Sequence, residues 1–569
     1  MVSGIVKTGI VAAVGVVVIV LSSTLGWILV PDIATSEAII TADNEAVFAA
    51  WSSPPVPVYI DFFLFNCTNC EDPTDQDVVL HLDQLGPFSF TEGRIKYGVI
   101  EKNGLLTYRE NITYFHTPGV GELGLDVEVV TVNPVYFTLA SLISDLAPED
   151  LADGLSIIMH NKLDEEDEKP FMKRKVREML FDGWSLKPYI KILESFQNET
   201  GVELPPLPAD PKFGFFYGRN PVYFTLASLI SDLAPEDLAD RLSIIMHNKL
   251  DEEGEKPFMK RKVREMLFDG WSLQPYINIL ESFQNETGIE LPPLPDDPKF
   301  GFFYGRNGTN LGVFKIESGA NGLDQLGFIR TWNGKESVDY WNDIYCNMIN
   351  GTDGAIYPPL VDTSEKVYIF TPDLCRSVYA TYERDVETEG IIGNRFTVPE
   401  IVFNTYDPEN LCYCPDHKID PDLCFSTGIL DMRPCLFGAP VLLSTPHFYM
   451  GDEKYVKAFT GLAPNKEWHE THFDLEPLLG VPIFASKRLQ LNVDVRKYKV
   501  PPRLLNINDT VFPILWINET AKLDQPSAQD VNKAVNVIDA LNISRWCFLA
   551  AGIALVIAGF VMLIIYLPR

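Results

Sequence analysis

The chain has 569 residues, a net charge of −32 and an aromatic content of 12%. So acidic a balance argues against a nucleic-acid partner, whose phosphates attract basic surfaces, and so many aromatics argue against a disordered acidic tail. The acidity reads as a soluble, self-repelling surface, and the length allows at least one large core.

From Thr8 to Val30 the chain carries no charge, enough to cross a hydrocarbon core of ~30 Å. A cleaved signal peptide is the plainer reading, but the run exceeds the ~7–15 residues of a signal core and no A-x-A-like site follows. A second uncharged run spans Trp546–Leu567, with Trp546 and Tyr566 at interfacial positions. Sequons begin at Asn66, Asn111, Asn198, Asn285, Asn307, Asn350, Asn508, Asn518 and Asn542, all between the two spans. They predict a glycosylated lumenal or extracellular body with both termini as cytosolic stubs, residues 1–7 and 568–569. The expected organisation is a first transmembrane helix at 8–30, core at 31–132 and 307–545, and a second transmembrane helix at 546–567.

Between the two core segments lies a duplication. Asn133–Arg219 recurs as Asn220–Arg306, each 87 residues long, with six differences. The near-identity fits a recent exon duplication or an error in the gene sequence. Two copies are too few for a solenoid. Pro148, Glu149 and Asp150 suit a helix start, and Leu151, Leu155, Ile158 and Met159 follow at helical spacing. A second helix is predicted over Phe171, Val176, Met179 and Leu180, a third over Pro188–Phe196, and a strand over Phe213–Tyr217. The second helix carries Lys173, Arg174, Lys175 and Arg177, repeated as Lys260, Arg261, Lys262 and Arg264. Such a face is either solvated with local ion pairs or a cationic patch for anionic headgroups and acidic partners.

After Asn307 the texture changes to short β-type runs, such as Lys366–Phe370, Arg395–Val398, Val441–Ser444 and Leu489–Val495. Cys346, Cys375, Cys412, Cys414, Cys424 and Cys435 cluster here and read as three disulfides in one of fifteen connectivities. Cys67 and Cys70 form either a local bridge or two free thiols. His469-Glu470-Thr471-His472 invites a zinc-protease reading, but its histidines are spaced i, i+3 instead of i, i+4. No catalytic constellation is evident, and nothing implies a metal, a cofactor or an enzyme.

The block from Gly438 reads GAPVLLSTPHFYMGDEKYVKAFTGLAPNKEWHETHFDLEPLLGVPIFASKRLQLNV. With PPVPVYIDFFLFN, CNMINGTDG, CRSVYATYE and VFPILWINET, it resembles the class B scavenger receptor family over nearly the whole chain. The resemblance implies an α+β membrane protein: an antiparallel β-barrel-like ectodomain core with a lipid tunnel, an apical helical bundle (here duplicated, at 133–219 and 220–306) and two terminal transmembrane helices. It also implies the pairs Cys346–Cys412, Cys375–Cys435 and Cys414–Cys424, and a tunnel-entrance lysine falling on Lys162 and Lys249. Of the two copies, the one ending in Phe300–Tyr304 is expected to join the core.

The implied function is a cell-surface receptor for fatty acids, phospholipids, cholesterol or lipoprotein particles, passing lipid to the membrane. Alternatives are a lysosomal receptor that binds a lumenal protein at the apex and a two-span ligand-gated channel. By the resemblance, the place of a histidine in the lysosomal member falls on Arg174 or Arg261, and no acidic dileucine tail is expected. The second span also offers few of the polar residues a pore-lining helix carries.

Overall fold

The computed structural model describes residues 2–24, 38–70, 78–117, 119, 124–132, 308–415, 423–436, 440–495 and 509–566, with four short strands between 171 and 262. Helix α1 (Val2–Thr24) and α2 (Glu45–Ser52) come first. Strands β1 (Val58–Cys67), β2 (Leu80–Lys102), β3 (Leu105–His116) and β4 (Glu128–Val132) follow. Within the repeat are β5 (Phe171–Lys175), β6 (Trp184–Ser185), β7 (Lys212–Phe213) and β8 (Arg261–Lys262). After it come β9 (Thr309–Glu317), β10 (Ile329–Trp332), β11 (Val367–Thr371), β12 (Arg376–Thr388) and β13 (Ile391–Thr397). The last group is β14 (Leu430–Asp431), β15 (Val441–Ser444), β16 (Phe459–Thr460), helix α3 (Lys466–His469), β17 (His472–Glu476), β18 (Val481–Val495), β19 (Thr510–Lys522) and helix α4 (Gln525–Tyr566).

The main sheet runs β10-β9-β3-β2-β1-β19-β18-β17-β13-β12-β11. Its two outer strands do not end free. Ile329 N–H of β10 donates to Gly351 O at 2.9 Å, and Phe370 N–H of β11 donates to Thr352 O at 2.9 Å. The Gly351–Thr352 link thus joins both edges and rolls the sheet towards a barrel, which removes exposed edges. Gly351 has φ +79, and a Cβ there would lie 1.9 Å from Tyr368 O, so only glycine fits the seam.

Alternation sets which face is inside. In β1, Ile60, Phe62 and Leu64 are buried, while Phe63 on the other face stacks on Trp516 with centroids 4.0 Å apart. Proline would normally interrupt so central a strand as β19. Pro513 sits opposite Asn492, where the β18–β19 register shifts, so its missing N–H falls at an irregularity. Pro482 of β18 likewise lies at a register shift against β17.

Four disulfides staple this core: Cys67–Cys70, Cys346–Cys412, Cys375–Cys435 and Cys414–Cys424. The last three follow the pairing that the family resemblance implies, and the first resolves Cys67 and Cys70 as a local bridge. Cys547 is free and exposed.

At the chain ends, α1 and α4 pack against each other. A Cβ on Gly15 would come 2.8 Å from Val556 N, one on Gly552 3.0 Å from Gly15 O, and one on Gly559 2.8 Å from the Ala12 Cβ. As numbers rise along α1 they fall along α4, so the helices run antiparallel, with small residues allowing close backbone approach. Among the described residues only α4 is long and apolar enough to cross a membrane; the apolar part of α1 covers Ile10–Thr24. Helix α1 begins earlier than the predicted 8–30 span and α4 earlier than 546–567, while residues 25–30 lie outside the described residues.

Most of the duplicated segment, including the predicted first and third helices, lies outside the described residues. One prediction fails: Phe171–Lys175 is a strand, not the start of the second helix. It pairs antiparallel with the valine-rich β4 along its whole length, so partner-strand hydrogen bonds override a local helical pattern. Lys212–Phe213 pairs with Trp184–Ser185, so the predicted strand over Phe213–Tyr217 is described only at Phe213.

Candidate ligand-binding site

The basic segments of the two repeats come together on one strand. β5 and β8 flank β4 on opposite edges. Val129 pairs with Arg174 on one side and with Arg261 on the other; Glu128 pairs with Lys175 and with Lys262. Arg174 and Arg261 occupy the same place in their copies, so the duplication is laid out about β4 with equal register. Lys173 pairs with Val130. β4 itself is tied to the barrel, since Val130 N–H donates to the Asn66 side chain at 2.9 Å. Lys162, Arg177, Lys249, Lys260 and Arg264 lie outside the described residues.

A chain of buried and half-buried charge crosses β2, β3, β19 and β18. Arg94 holds Glu92 at 2.5 Å and Glu519 at 2.6 Å; Lys487 holds Glu519 at 3.1 Å and Asp373 at 3.0 Å; Lys96 holds Glu110 at 2.8 Å. Four carboxylates face three cations. Burial, opposed by Arg94, raises Glu92 to about 7, whereas Lys487 and Arg94 hold Glu519 below the usual carboxylate range despite its burial. Sequence reading did not single out these residues. Apart from Asp373, which lies in a turn, their sequence signal is charge at inward positions of long strands.

The block from Gly438 builds a buried histidine cluster. His447 and His469 stack with centroids 4.5 Å apart, flanked by Trp516. Trp516 Nε1–H donates to Gln84 Oε1 at 2.8 Å, and His447 Nε2 meets the same oxygen at 2.7 Å. Tryptophan can only donate, so the Gln84 atom is an acceptor and His447 carries its proton on Nε2. His447 Nδ1 accepts from Ala463 N–H, and His469 Nδ1 accepts from Asn465 N–H, each at 3.0 Å. His472 points elsewhere and stacks on Phe484, so the HETH residues are not a shared metal site. His447, Phe448 and Met450 all have positive φ (52°, 56° and 60°), a strained turn that surrounding contacts must hold.

The CD36 family profile matches residues 8–227 and 225–563. The chain belongs to the CD36 family. The break in the match falls just inside the second repeat, which begins at Asn220. Lysosome membrane protein 2 of Mus musculus is 29% identical over 513 residues, 90% of this chain and 84% of its own length. Scavenger receptor class B member 1 of Mus musculus is 30% identical over 342 residues, covering 59% of this chain and 64% of its own. Sensory neuron membrane protein 2 of Heliothis virescens is 30% identical over 344 residues, covering 58% and 66%. In this CD36-family chain the NGTDG stretch supplies the barrel seam, and the PHF, GLxPN and HET stretches supply the histidine cluster.

Proposed function

We propose that this CD36-family chain is a membrane-tethered scavenger-type receptor that captures anionic or amphipathic lipid on its ectodomain and delivers it to the membrane. The observation that carries the reading is the register of the two repeats. Arg174 and Lys175 pair with one edge of β4, and Arg261 and Lys262 with the other, on a strand anchored to the barrel. Guanidinium and ammonium groups bind carboxylate and phosphate through charge-assisted hydrogen bonds. An apolar path beyond them would shield acyl chains, at ~0.8 kcal/mol per buried CH₂. Helices packed side by side at the two chain ends would hold the body against the bilayer.

The test is charge reversal of Arg174, Lys175, Arg261 and Lys262 to Glu, followed by uptake of labelled fatty acid and lipoprotein by cells expressing the full chain. Surface delivery with uptake reduced several-fold supports the reading; unchanged uptake at equal surface level sinks it.

A second reading is residence in the lysosomal membrane with a lumenal protein as cargo. It is favoured by the extent of the match to lysosome membrane protein 2, which spans 90% of this chain. Immunolocalisation of the tagged chain and co-purification of a soluble lumenal protein separate the two.

A further inference from the structure

A groove of about 1390 Å³ opens beside the barrel seam, between the β10–β11 closure and the Cys346–Cys412 bridge. Its wall includes the apolar side chains of Met348, Ile349, Val361, Val367, Val378 and Leu411. Three cations line it. Arg330 is engaged by Glu317 at 2.8 Å, and Lys366 lies 3.9 Å from Glu409. Arg376 differs. It is 3% exposed, yet no carboxylate faces it among the described residues. Its Nη2–H makes one long hydrogen bond to Val402 O at 3.4 Å, and its Nε has no partner.

Burying a guanidinium is costly unless a counter-charge meets it, and among the described residues none does. Its Cζ lies 3.4 Å from the centre of the Tyr413 ring, which is itself packed edge-on against Trp341 at 5.1 Å. Trp341 Nε1–H in turn donates to Cys375 O at 2.9 Å, next to the Cys375–Cys435 bridge. The Tyr413 ring covers one side of the guanidinium, whose remaining N–H groups suit a carboxylate or phosphate acceptor. The carboxylates lining the groove (Asp324, Asp343, Asp362, Glu365 and Glu409) are all exposed, so water screens them. Asp343 also caps the Tyr345 N–H, and Asp362 accepts from Ser364.

The geometry points to a second ligand site in which Arg376 binds the carboxylate or phosphate head of a single-chain lipid whose tail lies along the apolar wall. The groove exceeds the ~300–1,000 Å³ of ordinary ligand pockets, so head and tail both fit. That the occupant is a lipid rests on the receptor reading; the anion contact at Arg376 does not.

The test uses the full-length protein in detergent and a photoreactive fatty acid, compared with its uncharged methyl ester. Adducts are mapped by mass spectrometry. In the wild type the acid should label groove peptides roughly tenfold or more above the ester, as expected for a charge-assisted contact. Arg376→Gln should erase that preference. Met348→Trp keeps the arginine but fills the groove and should cut labelling by the acid, which leaves the idea testable if Arg376→Gln does not fold. Reversal of the four basic residues around β4 should leave groove labelling intact even if it abolishes uptake. Competition by lysophosphatidate would assign a phosphate head, and competition by unlabelled oleate a carboxylate. Acid preference surviving in Arg376→Gln, wild-type labelling of Met348→Trp, or equal competition by inorganic phosphate would each overturn the site.

Discussion

His447 and His469 lie face to face, 6° from parallel with ring centres 4.5 Å apart, and each spends its Nδ1 lone pair on a backbone N–H. Protonating either ring would place a charge in a buried setting and turn that Nδ1 acceptor into a donor facing a donor; protonating both would set two positive charges face to face. Burial lowers His447 to about 4; burial and the neighbouring His447 lower His469 to about 3. His472 is lowered by burial to about 4 as well.

These shifts predict acid sensitivity. Each histidine is neutral in the fold and protonates in the unfolded chain below pH ~6.5. Stability is therefore full above that pH and falls as pH drops towards 4. At pH 5 the loss is about 2 kcal/mol per histidine, before screening of the less buried rings. Thermal melts of the purified protein should show a lower Tm at pH 5 than at pH 7, and His469→Gln should reduce the difference by about a third. A Tm independent of pH in that range would remove the explanation.

Gln84 tests the same cluster from its acceptor side. Gln84→Met would remove the acceptor shared by Trp516 Nε1–H and His447 Nε2–H. Gln84 is exposed, so water can take its place, and at about 0.5–1.5 kcal/mol for each bond a loss of roughly 1–3 kcal/mol is expected. Denaturant titration followed by tryptophan fluorescence measures it.

The Arg94 network makes two opposite predictions. Arg94→Met strands Glu92 and Glu519, and should cost about 3–5 kcal/mol or prevent folding. Glu92 has a raised folded pKa, so its contribution is full below its unfolded pKa near 4.5 and is lost as pH rises through about 7. Glu92→Gln should therefore gain stability relative to the wild type as pH goes from 6 to 8. Paired urea titrations at the two pH values check the sign.

The helix pair at the chain ends predicts a cross-link. Cysteines at Ala12 and Val556, neither of them a contact glycine, should be joined by a short bismaleimide, because Ala12 lies against Gly559 and Val556 against Gly15. Adding Gly15→Leu should suppress it, since even a Cβ at Gly15 would meet Val556 N at 2.8 Å. Equal cross-linking with and without the leucine would show that the two helices do not pack here.

Much of the architecture is written locally. Uncharged runs of membrane length, sequons confined between them, alternating β segments such as Val441–Ser444 and the motif block from Gly438 all follow from short-range sequence. So does the presence of a basic segment in each repeat. What local sequence could not decide depends on partners distant in the chain. Phe171–Lys175 has a helical pattern, yet β4, about forty residues earlier, draws it into a sheet. Neither repeat reveals that Arg174 and Arg261 share the same partner, Val129. Gly351 reads only as a turn glycine until Ile329 and Tyr368 arrive on either side and make it the barrel seam. Arg376 reads as an ordinary strand arginine. Only the closed fold shows it buried, over the Tyr413 ring and, among the described residues, without a carboxylate, because burial and pairing are properties of the whole packed chain.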